Sequence, residues 1–154
     1  MRTVNISAKT DYAIRALLML AETSGDPVSV DALAKRQALP RKFLEAIFAD
    51  LRRSQLVQSR RGAHGGYSLS RPADEIVLGD IFRAVDGPLA EVRGLRPDQT
   101  AYTGVAAHLP VIWVAVRASL RRVLDDTTLA QLLSGELSEH VQHLAQDPEA
   151  WKSR

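Results

Sequence analysis

The chain of 154 residues is 45% apolar and 25% charged with a formal net charge of +2, the composition of an ordinary globular protein and not of a disordered one. It contains no cysteine, which excludes disulfides, thiol nucleophiles, thiolate zinc sites and Cys-ligated iron–sulfur clusters. Residues 1–70 hold eleven Lys or Arg against six Asp or Glu (+5), and residues 71–154 hold nine against twelve (−3), so one end suits a polyanion unless the imbalance serves only solubility.

Ser7 is placed to cap a first helix in which Tyr12, Ala16, Met19 and Leu20 recur at helical spacing. Ile14, Leu17, Leu18 and Ala21 widen its apolar surface, and Ser24-Gly25-Asp26-Pro27 ends it. A short helix is expected over residues 29–37, capped by Ser29, with Val30, Leu33 and Ala34 inward and Asp31 at the positive end of its dipole. After a tight Ala38-Leu39 turn, Pro40 suits the first position of a helix reaching about Ser54, with Phe43, Leu44, Ile47, Phe48 and Leu51 as its apolar stripe. Two helices joined by so short a turn predict a helix-turn-helix. Two strand-like runs, 56–60 and 66–70, flank Arg61-Gly62-Ala63-His64-Gly65 and predict a glycine-rich wing, with Tyr67 packing on the helix. A further short helix is expected over 76–85, before Asp86-Gly87-Pro88.

Residues 88–107 have weak periodicity and read as an irregular linker and candidate sensor loop. A strong helical pattern returns over 108–126, where Leu109, Val116 and Val123 repeat every seven residues and Ile112, Trp113 and Leu120 fill the same face. That seam predicts packing against a partner subunit, with packing on its own domain as the alternative. A short helix over 128–133 and a polar, partly frayed tail over 135–154 complete the chain. The expected fold is therefore mainly α with a small β-wing: a winged helix-turn-helix head (1–87), the linker, a long dimerisation helix with its short successor (108–134), and the tail. The longest mainly apolar stretch, 104–116, is too short to span a bilayer, and no secretory leader is legible, so a cytoplasmic location without membrane contact is expected.

The chemistry of the head predicts a double-stranded DNA surface. Pro40, Arg41, Lys42, Phe43 and Glu45 occupy the start of the second helix-turn-helix helix, where free amides and the dipole suit a phosphate. Arg41 has the donors to bind a guanine edge, Lys42 is a mobile charge, and Glu45 either accepts from a cytosine amino group or pairs with a neighbouring Arg. Arg52 and Arg53, at the helix end, either contact phosphate or complement the dipole. In the wing, Arg60, Arg61 and His64 can enter a minor groove, and Gly62, Gly65 and Gly66 allow close approach and positive φ.

No phosphate-binding loop, dinucleotide fingerprint or His-Glu-x-x-His is present, so no enzyme is predicted. Glu136, Glu139, His140 and His143 share a helical spacing but lie in the polar tail and read as exposed residues before a metal site. No cofactor is expected. The competing class is a winged-helix protein-interaction module that does not bind DNA.

The run Arg61-Gly62-Ala63-His64-Gly65-Gly66-Tyr67-Ser68-Leu69-Ser70-Arg71-Pro72, continued by Ile76-Val77-Leu78-Gly79-Asp80-Ile81 and Ala84-Val85-Asp86-Gly87, resembles a bacterial regulator family. This is the Rrf-two family, which includes the iron–sulfur-cluster regulator and the nitric-oxide-sensing repressor (IscR/NsrR-type). Ser7-Ala8-Lys9 with Tyr12-Ala13 resembles its N-terminal start and Phe43-Leu44-Glu45 its recognition helix. The resemblance, over residues 5–87, implies a homodimeric transcription regulator, here taken as a repressor acting on a roughly palindromic site. It also implies that Lys9 and Tyr12 touch phosphates, with core packing as the alternative for Tyr12. Many relatives hold a cluster on three cysteines in the loop before the long helix; residues 88–107 have none, so that ligand set is not carried over. Asp11 alone cannot hold a cluster and reads as a dipole partner. Arg93, Arg96, His108 and Trp113, in or beside the loop, are candidate receivers of an anionic or aromatic effector, against plain packing or a constitutive regulator.

Overall fold

A computed structural model describes residues 5–153. Helix α1 spans Ala8–Glu22; Ser7 Oγ caps it by accepting from the Thr10 amide at 3.0 Å. Ala13, Ala16, Leu17, Met19 and Leu20 bury its inner face. Ser24 and Gly25, both at positive φ, turn the chain toward Val28. Helix α2 (Val30–Gln37) is capped by Ser29 and ends on Ala38, held in the left-handed region at φ 51°. Helix α3 (Arg41–Arg53) then buries Leu44, Ile47, Phe48 and Leu51 against α1 and α4 (Leu78–Asp86).

The wing is an antiparallel pair, β1 (Val57–Arg60) and β2 (Gly66–Leu69), in register from Val57 opposite Leu69 to Arg60 opposite Gly66. Val28 adds a single-residue bridge: its amide donates to Tyr67 O at 2.9 Å and the Tyr67 amide donates back to Val28 O at 2.8 Å. Tyr67 also stacks on Phe48 with centroids 4.5 Å apart, which fixes the hairpin to α3 as expected.

The linker is more ordered than its sequence suggests. A tight reversal at Arg93 and Gly94, both at positive φ, pairs Val92 with Leu95, and single 3₁₀ turns occupy Pro97–Gln99 and Gly104–Ala106. Helix α5 (Leu109–Leu124) follows, about 24 Å long. The chain then returns to the head: the Leu78 amide donates to Thr127 O at 2.9 Å and the Leu129 amide to Ile76 O at 3.0 Å. Helix α6 (Leu129–Ser134) opens with a reciprocal Thr128–Gln131 capping box and sinks Leu129 into the head core. The polar tail is not frayed over its length, because Ser138 caps a last helix, α7 (Glu139–Gln146).

Close approach marks glycines in both the α4 and wing runs. A Cβ on Gly79 would lie 1.8 Å from Asp125 Oδ1, and one on Gly66 would lie 2.3 Å from Val28 O.

Candidate nucleic-acid interface

The exposed side of α3 and the wing tip each carry exposed basic side chains. Pro40 stands one residue earlier than expected, at the N-cap, and brings no side-chain acceptor, so the first amides of α3 have no side-chain cap. Arg41 lies between Asp31 (2.8 Å) and Glu45 (3.0 Å), all three well exposed. Exposed pairs of this kind contribute only about 0–1 kcal/mol, so the guanidinium can exchange a carboxylate for a phosphate or a guanine edge. Asp31, read from sequence only as a dipole partner of α2, thus joins the two helices of the helix-turn-helix. Its spacing of ten residues from Arg41 carried no signal of the contact.

Lys42, Arg52, Arg60, Arg61 and His64 are exposed and form no ion pair among the described residues. They present five side chains that a polyanion can engage without breaking an internal contact. Phe43 differs from its expected place in the apolar stripe: it is 52% exposed at the start of α3 and meets the Tyr12 ring edge-on at 6.1 Å. The stripe is complete without it, because Leu44, Ile47, Phe48 and Leu51 already fill the inward side. An exposed aromatic at the mouth of this surface suits an apolar base edge such as a thymine methyl.

Other predicted residues are engaged elsewhere. Lys9 Nζ donates to Asp50 at 2.5 Å and to the Val85 carbonyl at 3.1 Å, tying α1, α3 and α4 together. The Lys9 ammonium holds the Asp50 carboxyl below the usual aspartate range against the opposing effect of burial, and Arg53, 3.0 Å from Asp50, adds to it. Beside this knot, Ser7 and Thr10 hydroxyls both donate to Asp86, at the α4 terminus. Gly62 has open space around it at φ 111°, whereas a Cβ on Gly65 or Gly66 would meet the chain's own backbone.

Of the four candidate effector residues, two meet at Tyr102. Arg93 lies 5.4 Å from the Tyr102 ring centroid and Trp113 Nε1 donates to Tyr102 Oη at 3.2 Å, while Arg96 pairs with Asp98 and His108 is exposed at the start of α5. Trp113 therefore faces the linker and not the predicted dimer seam. Ile112, Val116, Leu120 and Val123 do share one open groove of about 600 Å³, with Ile6 and Phe82 beside them, and Leu109 is half-buried at the helix start.

The residues present do not fit an iron–sulfur cluster, since the chain offers no thiolate. Among the described residues no three His, Asp or Glu side chains converge to hold a metal ion, and no helix is long and apolar enough to cross a membrane.

Residues 6–135 match the family model Rrf2, described as an iron-dependent transcriptional regulator. The chain is 46% identical over 151 residues to a Mycobacterium tuberculosis protein named for an HTH-type transcriptional regulator, covering 97% of this chain and 94% of that protein. It is 35% identical over 132 residues to the HTH-type transcriptional regulator CymR of Bacillus subtilis, covering 85% and 91%. Among solved structures, CymR, the global cysteine regulator of B. subtilis, superposes with a TM-score of 0.71 at 34% identity, covering 86% of this chain and 98% of that one. T. potens IscR superposes with a TM-score of 0.68 at 33% identity, covering 98% and 93%. These relatives are regulators and not enzymes, and both superposed folds carry the winged helix-turn-helix found here. The chain belongs to the Rrf2 family of transcriptional regulators, which bind DNA.

Proposed function

We propose that this regulator works as a homodimer that represses transcription from a roughly palindromic duplex site in the cytoplasm, without an iron–sulfur cluster. The observation that carries the reading is α5: none of its sixteen residues is buried, and Ile112, Val116 and Leu120, spaced four apart along one face, are apolar and exposed. A second α5 laid on that stripe removes it from water and fixes two heads by two-fold symmetry. Two heads so related read half-sites about one helical turn apart, roughly 34 Å. In each head, the α3 start with Arg41, Lys42, Phe43 and Glu45 addresses the major groove, and Arg60, Arg61 and His64 of the wing address the minor groove. Occupying more than a turn of duplex over a promoter blocks access to it, which supports repression. The lack of thiolates supports a cluster-free regulator.

A gel-shift series at increasing salt tests the reading against a protein-interaction module. Neutralising on the order of six phosphates per dimer gives a log–log slope near −5, and Arg60→Gln with Arg61→Gln flattens it by about one for each phosphate left without its arginine. A slope near zero, or one indifferent to both substitutions, rejects DNA binding through this surface.

A further inference from the structure

A second cationic site lies away from the DNA-facing surface, where the linker crosses between head and arm. Gly87, Pro88, Leu89 and Ala90 form one wall of a cleft of about 400 Å³; Arg83 of α4, Arg96 of the linker, and Arg117 and Arg121 of α5 supply the rest of the lining. Arg117 and Arg121 are one helical turn apart and so share the linker-facing side of α5 with Trp113. This side is distinct from the open apolar groove of Ile112, Val116 and Leu120.

Four guanidiniums line the cleft and no carboxylate does. The carboxylates that hold them lie behind. Asp125 accepts both bonds from Arg83 at 2.8 Å, and Asp80 also reaches Arg83 but is shared with Arg71. Asp98 serves two cations at once, Arg117 at 2.6 Å and Arg96 at 3.1 Å, and Arg117's hydrogen bond keeps its carboxyl ionised. Arg121 forms no ion pair among the described residues. With Asp80 balanced by Arg71, four positive charges face the two negative charges of Asp98 and Asp125. Each guanidinium has five donors, so Asp98 and Asp125 leave most of them unused. The Arg117 side chain is only 14% exposed, so part of this excess is withheld from bulk water, which would otherwise screen its attraction for an anion. A cleft of this size falls in the range that encloses small molecules and is far too narrow for duplex DNA.

We propose that this cleft binds a small oxyanion, a carboxylate- or phosphate-bearing metabolite, held by Arg96, Arg117 and Arg121 against the apolar Pro88-Leu89-Ala90 wall. The ligand supplies acceptors to Arg121 and to the donors of Arg96 and Arg117 that Asp98 leaves unused, and it clamps the linker to α5. The site needs neither DNA nor a partner subunit.

The test is titration of the full chain with inorganic phosphate and, separately, with succinate, at ionic strength held constant with KCl. Binding is read by amide shifts in ¹H–¹⁵N spectra. The expected result is saturable binding of at least one probe with shifts centred on Gly87, Leu89, Ala90 and Arg117; the tighter probe identifies the ligand class. Arg121→Gln, which breaks no ion pair and leaves the melting temperature unchanged, weakens that binding about tenfold by removing a charge-assisted partner. Arg60→Gln leaves it unchanged. The proposal is overturned if neither probe saturates. It is equally overturned if the shifts centre on residues 60–66 and vanish in Arg60→Gln, which would place the anion on the wing.

Discussion

Helix α5 is richer in apolar side chains than the head, yet leaves more of their surface in contact with water. In the head, Ala13, Leu17, Leu20, Leu33, Leu44, Ile47, Phe48, Ile76, Ile81 and Leu129 are all fully or almost fully removed from water. In α5, Ile112 keeps 54% of its surface exposed, Val116 46% and Leu120 37%. Propensity does not separate the two, since both are well-formed helical structures. What separates them is supply of partners: α1 is surrounded by α3, α4, α6 and the wing, whereas α5 meets little beyond the linker turn at Pro97–Gln99 and a few residues of α4. The head buries its apolar side chains within one chain, and the arm leaves Ile112, Val116 and Leu120 uncovered, as the proposed dimer requires.

The comparison breaks most severely if the head core proves dispensable. Phe48→Ala removes a ring with no exposed surface that also carries the stacked Tyr67. Truncations of this kind cost about 3–5 kcal/mol. Urea unfolding should show that loss, with the wing released from α3; a loss below about 1 kcal/mol would mean that the hairpin is held by other means.

Next in size is Val116→Asp on the arm. In the proposed two-fold interface, a carboxylate placed in the exposed stripe enters twice. Dimer affinity is expected to weaken at least a hundredfold, about 2.7 kcal/mol, as read by sedimentation equilibrium. Unfolding of the isolated protomer is expected to change little, because the side chain touches no buried core. A variant as dimeric as the parent would place the subunit interface elsewhere.

The same contrast explains what could be read from sequence. Caps and breakers are local, and the sequence placed every α-helix and strand of the head within two residues, missing only the 3₁₀ turn at Ala73–Glu75. The seven-residue repeat found α5, but it assigned Trp113 to the seam. A bulky aromatic one residue from the stripe looks the same in sequence whether it packs on a partner or on Tyr102 of its own linker. Lys9 has the family's position and an ordinary sequence context, and only the approach of α3 and α4 shows that its charge is already engaged by Asp50. The arginine cleft was illegible for the same reason. Its members come from α4, the linker and α5, and nothing short-range relates Arg83 to Arg117. Helix α7 was legible in principle: Ser138 followed by Glu139 is a helix start, obscured by the polarity of the segment after it.

A smaller effect sharpens the boundary between head and arm. Gly79 of α4 receives Asp125 so closely that a methyl group would overlap its carboxylate. Gly79→Ala gains helix propensity but must push Asp125 off, breaking its two bonds from Arg83. A net cost of about 1–3 kcal/mol is expected from the overpacking. Hydrogen exchange at Leu78 and Leu129, whose amides hold the returning chain, should rise more than exchange within α1. Uniform acceleration throughout would mean that the joint and the head unfold as one unit.

The smallest expected effect is a pH dependence confined to the head. Asp50 has its carboxyl depressed below the ordinary value of 3.8, chiefly by the hydrogen bond from Lys9. The unfolded chain therefore takes up this proton at a higher pH than the folded one does. Stability from the Lys9–Asp50 contact is fully present above 3.8 and is lost as the pH falls through the folded value beneath it. Asp50→Asn abolishes that dependence and leaves Lys9 with a weaker acceptor, so the variant is less stable than the parent at neutral pH, and the two converge in acid. Unfolding free energies measured from pH 6 down to pH 3 by urea titration report this directly. If the difference between parent and variant stays constant across that range, Lys9 does not hold Asp50 in the folded head. The lysine would then be free to reach outward to a phosphate, as the family resemblance implies.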